Sequence, residues 1–202
     1  VILEGLHPLY TSTLRSLIDF SLYVDPADDV KKEWKLKRDM EKRGYTRHEV
    51  MEEIRKRQAD YYRYIAPQRE YADAVIHIGF SRYGRDLGWQ KNIYQTTLSQ
   101  IPISDELPRT DLALNLPALM TLSPGQFSLS YSRLILGGRT LASLTFDGEF
   151  DCHFISGLRD LFSGEAGVSP CQILGERDML TAPDVVRAML AWRIIQDIIA
   201  EQ

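Results

Sequence analysis

Asp28-Asp-Val-Lys-Lys-Glu-Trp-Lys-Leu-Lys-Arg-Asp-Met-Glu-Lys-Arg-Gly44-Tyr-Thr46-Arg-His-Glu49 places a helix, a stop and a second start within 22 residues. Asp28 is expected to cap a charged helix that runs to about Arg43. Gly44 ends it, because a glycine past the last turn tolerates the left-handed backbone that terminates helices. Thr46 and Glu49 match the S/T-x-x-E capping box, so the next helix is expected through Val50, Ile54 and Tyr61 to about Ile65, ahead of Pro67. On either side lie apolar runs of strand character, Asp19-Phe-Ser-Leu-Tyr-Val-Asp25 and Tyr71-Ala-Asp-Ala-Val-Ile-His-Ile78. Further upstream, Val1 to Leu6 reads as another strand, joined to the next by a short helical connection over Ser12 to Leu17. Strands alternating with helices predict an α/β architecture to about residue 78.

Beyond Gly79 the texture changes. Alternating runs at Leu112–Leu116, Phe127–Tyr131, Arg133–Leu136 and Leu141–Phe146 predict antiparallel strands. Gly137-Gly138 is expected as a tight turn and Asp147-Gly148 as the end of the last strand. His153 to Ser163 and Pro183 to Ala200 read as helices, the second carrying Val185, Met189, Trp192, Ile195 and Ile199 on one face. The expected division is residues 1–78 as an α/β part and 79–202 as a β-rich antiparallel extension with a closing C-terminal helix.

Composition narrows the class of function. The chain has 202 residues, 44% apolar and 26% charged, which suits one ordinary domain or somewhat more. No run approaches the roughly 20 apolar residues of a membrane helix, so a soluble protein with no membrane partner is expected. A net charge of -4 argues against a general nucleic-acid binder. The charge is uneven, however: Pro26 to Glu70 holds 13 Lys and Arg against 10 Asp and Glu. A cationic module in an acidic body favours a small anionic ligand bound at one place. Two cysteines, Cys152 and Cys171, fit a reducing compartment, and cytoplasmic placement is the expectation. Val1-Ile-Leu-Glu-Gly opens without a methionine or a polar lead-in and reads as starting inside a fold, as the C-terminal part of a longer protein would.

The chemistry centres on the first charged helix. Lys31, Lys35, Arg38 and Lys42 fall within a sector of about 60° at 100° per residue. Asp39 lies at the edge of that stripe, next to Arg38 and one turn from Lys35 and Arg43. The spacing fits first a solvated face laced with i,i+4 pairs; the sharper alternative is a lid whose cations converge on phosphoryl charge. Glu4 follows three apolar residues and precedes Gly5, at the strand tip where ligands gather in open α/β sheets and where a carboxylate can hold Mg²⁺. His7 follows it closely. The run Tyr61-Tyr-Arg-Tyr64 either packs against the sheet or stacks a base.

Together these residues resemble phosphoribulokinase, of the phosphoribulokinase and uridine kinase family of P-loop kinases. The resemblance rests on Glu4-Gly-Leu-His-Pro8, Leu17-Ile-Asp-Phe20, Tyr23-Val-Asp25, Trp34-Lys35-x-x-Arg38-Asp39-Met40-x-x-Arg43-Gly44-Tyr45, Tyr64-Ile-x-Pro67-Gln68 and Tyr71-Ala-Asp73. It is strong over residues 1–78 and weaker through Ser130-Tyr131, Leu144 to Phe150 and the last helix. It implies the C-terminal part of a nucleoside-monophosphate-kinase-like sheet. It also implies Glu4 and Asp39 at a metal site, Lys35, Arg38 and Asp39 as catalytic residues, and His7, Arg43 and Arg57 as binding residues for substrate or nucleotide phosphate. The implied reaction transfers the γ-phosphoryl of ATP, with Mg²⁺, to the C1 hydroxyl of ribulose 5-phosphate, as in carbon fixation. The implied assembly is a homodimer.

The sequence departs from the family pattern in two places. No Gly-x-x-x-x-Gly-Lys-Ser/Thr occurs in the 202 residues, so the phosphate cradle lies outside them and the chain alone is expected to be inactive. Cys152 and Cys171 are separated by 18 residues, wider than the family's regulatory pair, and read as free thiols. A nucleoside or other sugar as acceptor, and a non-catalytic relative kept for assembly or regulation, are the alternatives.

Overall fold

The computed structural model describes residues 1–83, 93–101, 127–151 and 179–200. Helix α1 is a single turn, Ser12–Arg15, capped by the Thr11 side chain, and strand β1 covers Leu22–Pro26. Helix α2 then occupies Asp28–Arg43. Gly44 stops it as expected, at φ +69°, with its N–H bonded back to the Asp39 carbonyl. The start differs by one residue. Ala27 holds the cap position without a side-chain bond, while Asp28 and Asp29 occupy the first turn, where carboxylates favour the helix dipole.

Helix α3, Arg47–Asp60, opens on a complete capping box: Thr46 Oγ1 accepts from Glu49 N at 3.3 Å, and Glu49 Oε2 accepts from Thr46 N at 2.8 Å. The α-helix does not continue to Ile65. Tyr61–Ile65 forms a π-helical turn closed by the Ala66 N–H on the Tyr61 carbonyl, followed by a 3₁₀ turn over Ala66–Tyr71 with Pro67 in its first turn. Pro67 has no N–H to donate, so it can stand only in the first turn of the new helical segment, where no such bond is required; Ala66 before it keeps right-handed helical dihedrals.

Strand β2, Ala74–Phe80, runs parallel to β1 in the register Leu22↔Ala74 to Pro26↔Ile78. Val1–Leu6 is not a strand: residues 1–7 are exposed, with Leu3 at 58% and Leu6 at 67%. An apolar run becomes a strand only when a neighbour takes up its ladder hydrogen bonds, and among the described residues none does.

The remaining elements are β3 (Tyr94–Gln100), β4 (Phe127–Leu136), β5 (Arg139–Asp151), β6 (Met179–Thr181) and α4 (Ala182–Ala200). The runs Phe127–Tyr131 and Arg133–Leu136 are thus one strand. Asp147-Gly148 does not end β5: Gly148 adopts φ +101° inside the strand, a conformation glycine supplies at a bend without breaking the pairing. The expectations for Leu112–Leu116, His153–Ser163, Cys152 and Cys171 fall outside the described residues.

The chain divides into two units. The first comprises 1–79, 99–101 and 133–142, and its core is Leu9, Ala72, Val75, Leu136 and Leu141, with Ile18 and Tyr23 against them. The β4–β5 hairpin turns at Gly137-Gly138, both at positive φ, as the two-residue turn demands. Arg139 fastens the hairpin tip, donating to the carbonyls of Glu70 and Ala72. In the second unit, β5 lies between β3 and β4 and also pairs antiparallel with β6. Ile93, Leu98, Phe146, Leu180, Val185 and Val186 are buried there, and the buried Asp147 carboxylate accepts from Arg82 Nε at 2.9 Å and Gln95 Nε2 at 3.2 Å.

The turn gives a direct test. A Cβ at Gly137 would sit 3.2 Å from Glu70 Cβ at φ +56°, whereas at Gly138, φ +76°, nothing lies within 4 Å. Gly138→Ala therefore meets only the left-handed backbone cost of about 1–2 kcal/mol, and Gly137→Ala meets that cost plus a steric one. Urea unfolding is expected to rank Gly137→Ala as the less stable variant; equal midpoints would mean that the hairpin tip does not lie against Glu70.

Candidate functional site

Helix α2 is so polar that Val30 and Asp39 are its only buried residues. What covers Asp39 is charge. Its side chain is 1% exposed, with Lys35 Nζ 2.9 Å from Oδ2, Arg38 Nε 2.9 Å from Oδ1 and Arg43 Nη1 3.3 Å from Oδ1. Lys35 and Arg43 reach it across one helical turn and Arg38 from the adjacent position, so the spacing read in the sequence closes into one cluster. The hydrogen bond from Arg38, then that from Lys35, holds the Asp39 carboxyl well below the usual carboxylate range, overcoming the opposing effect of burial. Asp39 in turn raises the Arg38 guanidinium. The result is a three-cation rim around one anion, with an excess of two positive charges and with Arg38 and Arg43 about half exposed.

Lys31 leaves the stripe. Its ammonium donates to Tyr61 Oη at 2.7 Å and to Asp25 Oδ1 at 3.4 Å, and lies 3.6 Å from Asp28. Asp25, near the end of β1, also accepts from Arg69 Nη1 at 2.9 Å and has His77 Nδ1 at 3.7 Å. Burial pushes the Asp25 carboxyl up, but His77, Arg69 and Lys31 together bring it from 3.8 down to about 2. Lys31 is raised: burial works against its charge, and Tyr61 and Asp25 outweigh it. This second cluster was not foreseen. The signal was present, because Asp25 closes an apolar run just as Glu4 does, and the strand-end argument applied to Glu4 applies to it equally.

The other expected residues lie apart from these clusters. Glu4 and His7 are exposed, His7 packing edge-on against Tyr10 at 5.9 Å, and no hydrogen bond or ion pair among the described residues joins either to Asp39. Arg57 pairs with Glu53 at 3.2 Å on the exposed side of α3. Of the tyrosine run, Tyr61 and Tyr64 are half-buried and Tyr62 is exposed.

Mg²⁺ does not suit Asp39 in this arrangement, since both carboxylate oxygens already face cations that a metal ion would have to displace. Glu4, an exposed carboxylate, suits the usual Mg²⁺ pattern of one or two carboxylates with the remaining ligands from phosphate and water. Among the described residues no three His, Cys, Asp or Glu are grouped to hold a metal by themselves.

The linkage at Asp25 has a fixed sign. Its folded pKa lies below the unfolded value, so its contribution is complete above about pH 4 and is lost as pH falls through about 2. That contribution is on the order of 2 kcal/mol. Asp25→Asn is expected to flatten the acid limb of stability measured by urea titration between those values; an unchanged limb would remove Asp25 from the account.

The described family model "Phosphoribulokinase / Uridine kinase family" matches residues 1–82. Over those residues the chain is similar to the phosphoribulokinase and uridine kinase family. Within the family, the phosphoribulokinase of Synechocystis sp. is 46% identical over 78 residues, which are 39% of this chain and 24% of that protein. The chloroplastic phosphoribulokinase of Mesembryanthemum crystallinum is 45% identical over 78 residues, 39% of this chain and 20% of its own. A uridine kinase of Borrelia duttonii is 41% identical over 80 residues, 39% of each chain. The chain thus spans about a quarter or less of the length of the phosphoribulokinases it matches.

Proposed function

We propose that residues 1–78 are the lid-bearing part of a kinase that moves the γ-phosphoryl of ATP to the C1 hydroxyl of ribulose 5-phosphate, with residues 79–202 as its β-rich extension. The observation that carries the reading is the enclosure of Asp39 by Lys35, Arg38 and Arg43 on one helix. Phosphoryl transfer requires little covalent chemistry from the protein; it requires cations fixed where phosphoryl charge passes. Asp39 fixes them by shared hydrogen bonds, and the excess of two charges is left to face an anion. The sparse apolar anchorage of α2 suits an element that opens and closes over substrate. In this reading Glu4 supports Mg²⁺ beside the nucleotide, His7 and Arg57 contact substrate or phosphate, and Asp39 organises cations in place of binding metal.

Uridine kinases match the same residues at 41% identity, so a nucleoside acceptor is the second reading. The test uses the longest native polypeptide that contains these 202 residues. ATP consumption with ribulose 5-phosphate and none with uridine supports the first reading, the reverse supports the second, and no turnover with either removes both.

A further inference from the structure

Four elements of the first unit meet on one carboxylate that the proposed reaction does not use. Asp25 stands at the end of β1, in register with His77 of β2. Its oxygens receive Lys31 from the second turn of α2 and Arg69 from the 3₁₀ turn, and His77 lies 3.7 Å away. The Asp25 side chain is 12% exposed, whereas its three partners are 30 to 48% exposed. The anion is therefore the enclosed member, around which the cations are arranged.

Named ties hold the root of α2 to the first unit. Val30 is its one buried apolar side chain. The backbone tie is Ala27 N–H to the Ile78 carbonyl at 2.7 Å. Lys31 adds a side-chain connection, bridging Asp25 and the Tyr61 hydroxyl. Lys35, Arg38 and Arg43 lie 4 to 12 residues farther along, about 6–18 Å of helix, so a tilt of about 10° at the root moves the far end by about 3 Å. A misplacement of about 1 Å can cost on the order of 100-fold in rate.

We infer that Asp25 is a positioning residue, which pins the root of α2 to the ends of the parallel strands through Lys31 and Arg69 and so aims the cations gathered by Asp39. The inference rests on the kinase reading for its effect on rate, while the anchoring itself does not. Asp25 touches no reacting group. It acts through the orientation of a helix whose buried apolar side chain is Val30.

The test compares Asp25→Asn, Asp25→Glu, Lys31→Met and the Asp25→Asn/Lys31→Met double variant in the longest native polypeptide. Asp25→Asn is expected to lower kcat by about 10- to 100-fold with KM for both substrates nearly unchanged. Asp25→Glu recovers part of the loss, and the double variant is no worse than the worse single one. Amide hydrogen exchange, which needs no activity, is expected to quicken over residues 31–43 in Asp25→Asn while β2 keeps its protection. Unchanged exchange in α2, or exchange that quickens throughout the molecule, overturns the anchoring. If the native polypeptide transfers no phosphoryl group but α2 alone loosens, the anchoring stands and the kinase reading falls. Full activity in Asp25→Asn overturns the inference and leaves the kinase reading standing.

Discussion

Arg38→Ala is expected to lower kcat for phosphoryl transfer by about 10²–10³-fold, the usual cost of deleting a preorganised charge from the path of a developing anion. The side chain is 52% exposed and shares Asp39 with Lys35 and Arg43. Its removal therefore leaves a still-compensated carboxylate and little loss of packing, and the melting temperature is expected to stay close to that of the parent. Arg38→Lys restores the charge but not the planar fork, and only partial recovery is expected. A rate within about threefold of the parent, measured under saturating ATP in the longest native polypeptide, would show that Arg38 belongs to a solvated helix face.

Asp39→Asn is the second large effect expected, and it separates two roles for that carboxylate. Removing the charge leaves Lys35, Arg38 and Arg43 facing one another without the anion that gathers them, so the rim spreads. A kcat decrease of about 100-fold is expected from lost geometry. If Asp39 organises cations, the Mg²⁺ concentration for half-maximal rate stays where it is in the parent. A marked rise in that concentration would return Asp39 to the metal site. Because Arg38 and Lys35 hold its carboxyl well below the usual range, Asp39 remains ionised throughout neutral pH, and the pH profile near neutrality is expected to be indifferent to it.

The parts of the fold that are encoded locally were legible. Gly44, the Thr46–Glu49 box and the Gly137-Gly138 turn each specify their geometry within a few residues, and each takes the expected form. The Asp39 cluster was legible for the same reason, being built from positions one to four residues apart on one helix. What depended on distant partners was not. Val1–Leu6 has the composition of a strand, but a ladder is a property of two segments. The Asp25 cluster draws on residues 6, 44 and 52 positions away, a juxtaposition that follows only from the parallel pairing of β1 and β2. Gly148 misled in the opposite sense, since a glycine that ends one strand can bend another, and the choice lies with the neighbouring strands.

Gln68 is 4% exposed, and its side-chain amide makes three hydrogen bonds. Its oxygen accepts from Leu9 N at 3.0 Å, and its nitrogen donates to the carbonyls of Leu6 at 2.9 Å and Tyr64 at 2.7 Å. The segment around Glu4 and His7 thus takes its seat from a residue some sixty positions downstream. Chimeras that exchange the opening segment between relatives should dock it only when the glutamine travels with it, and asparagine, one methylene short, cannot span the gap; for engineering purposes the two stretches are a single transplantable piece.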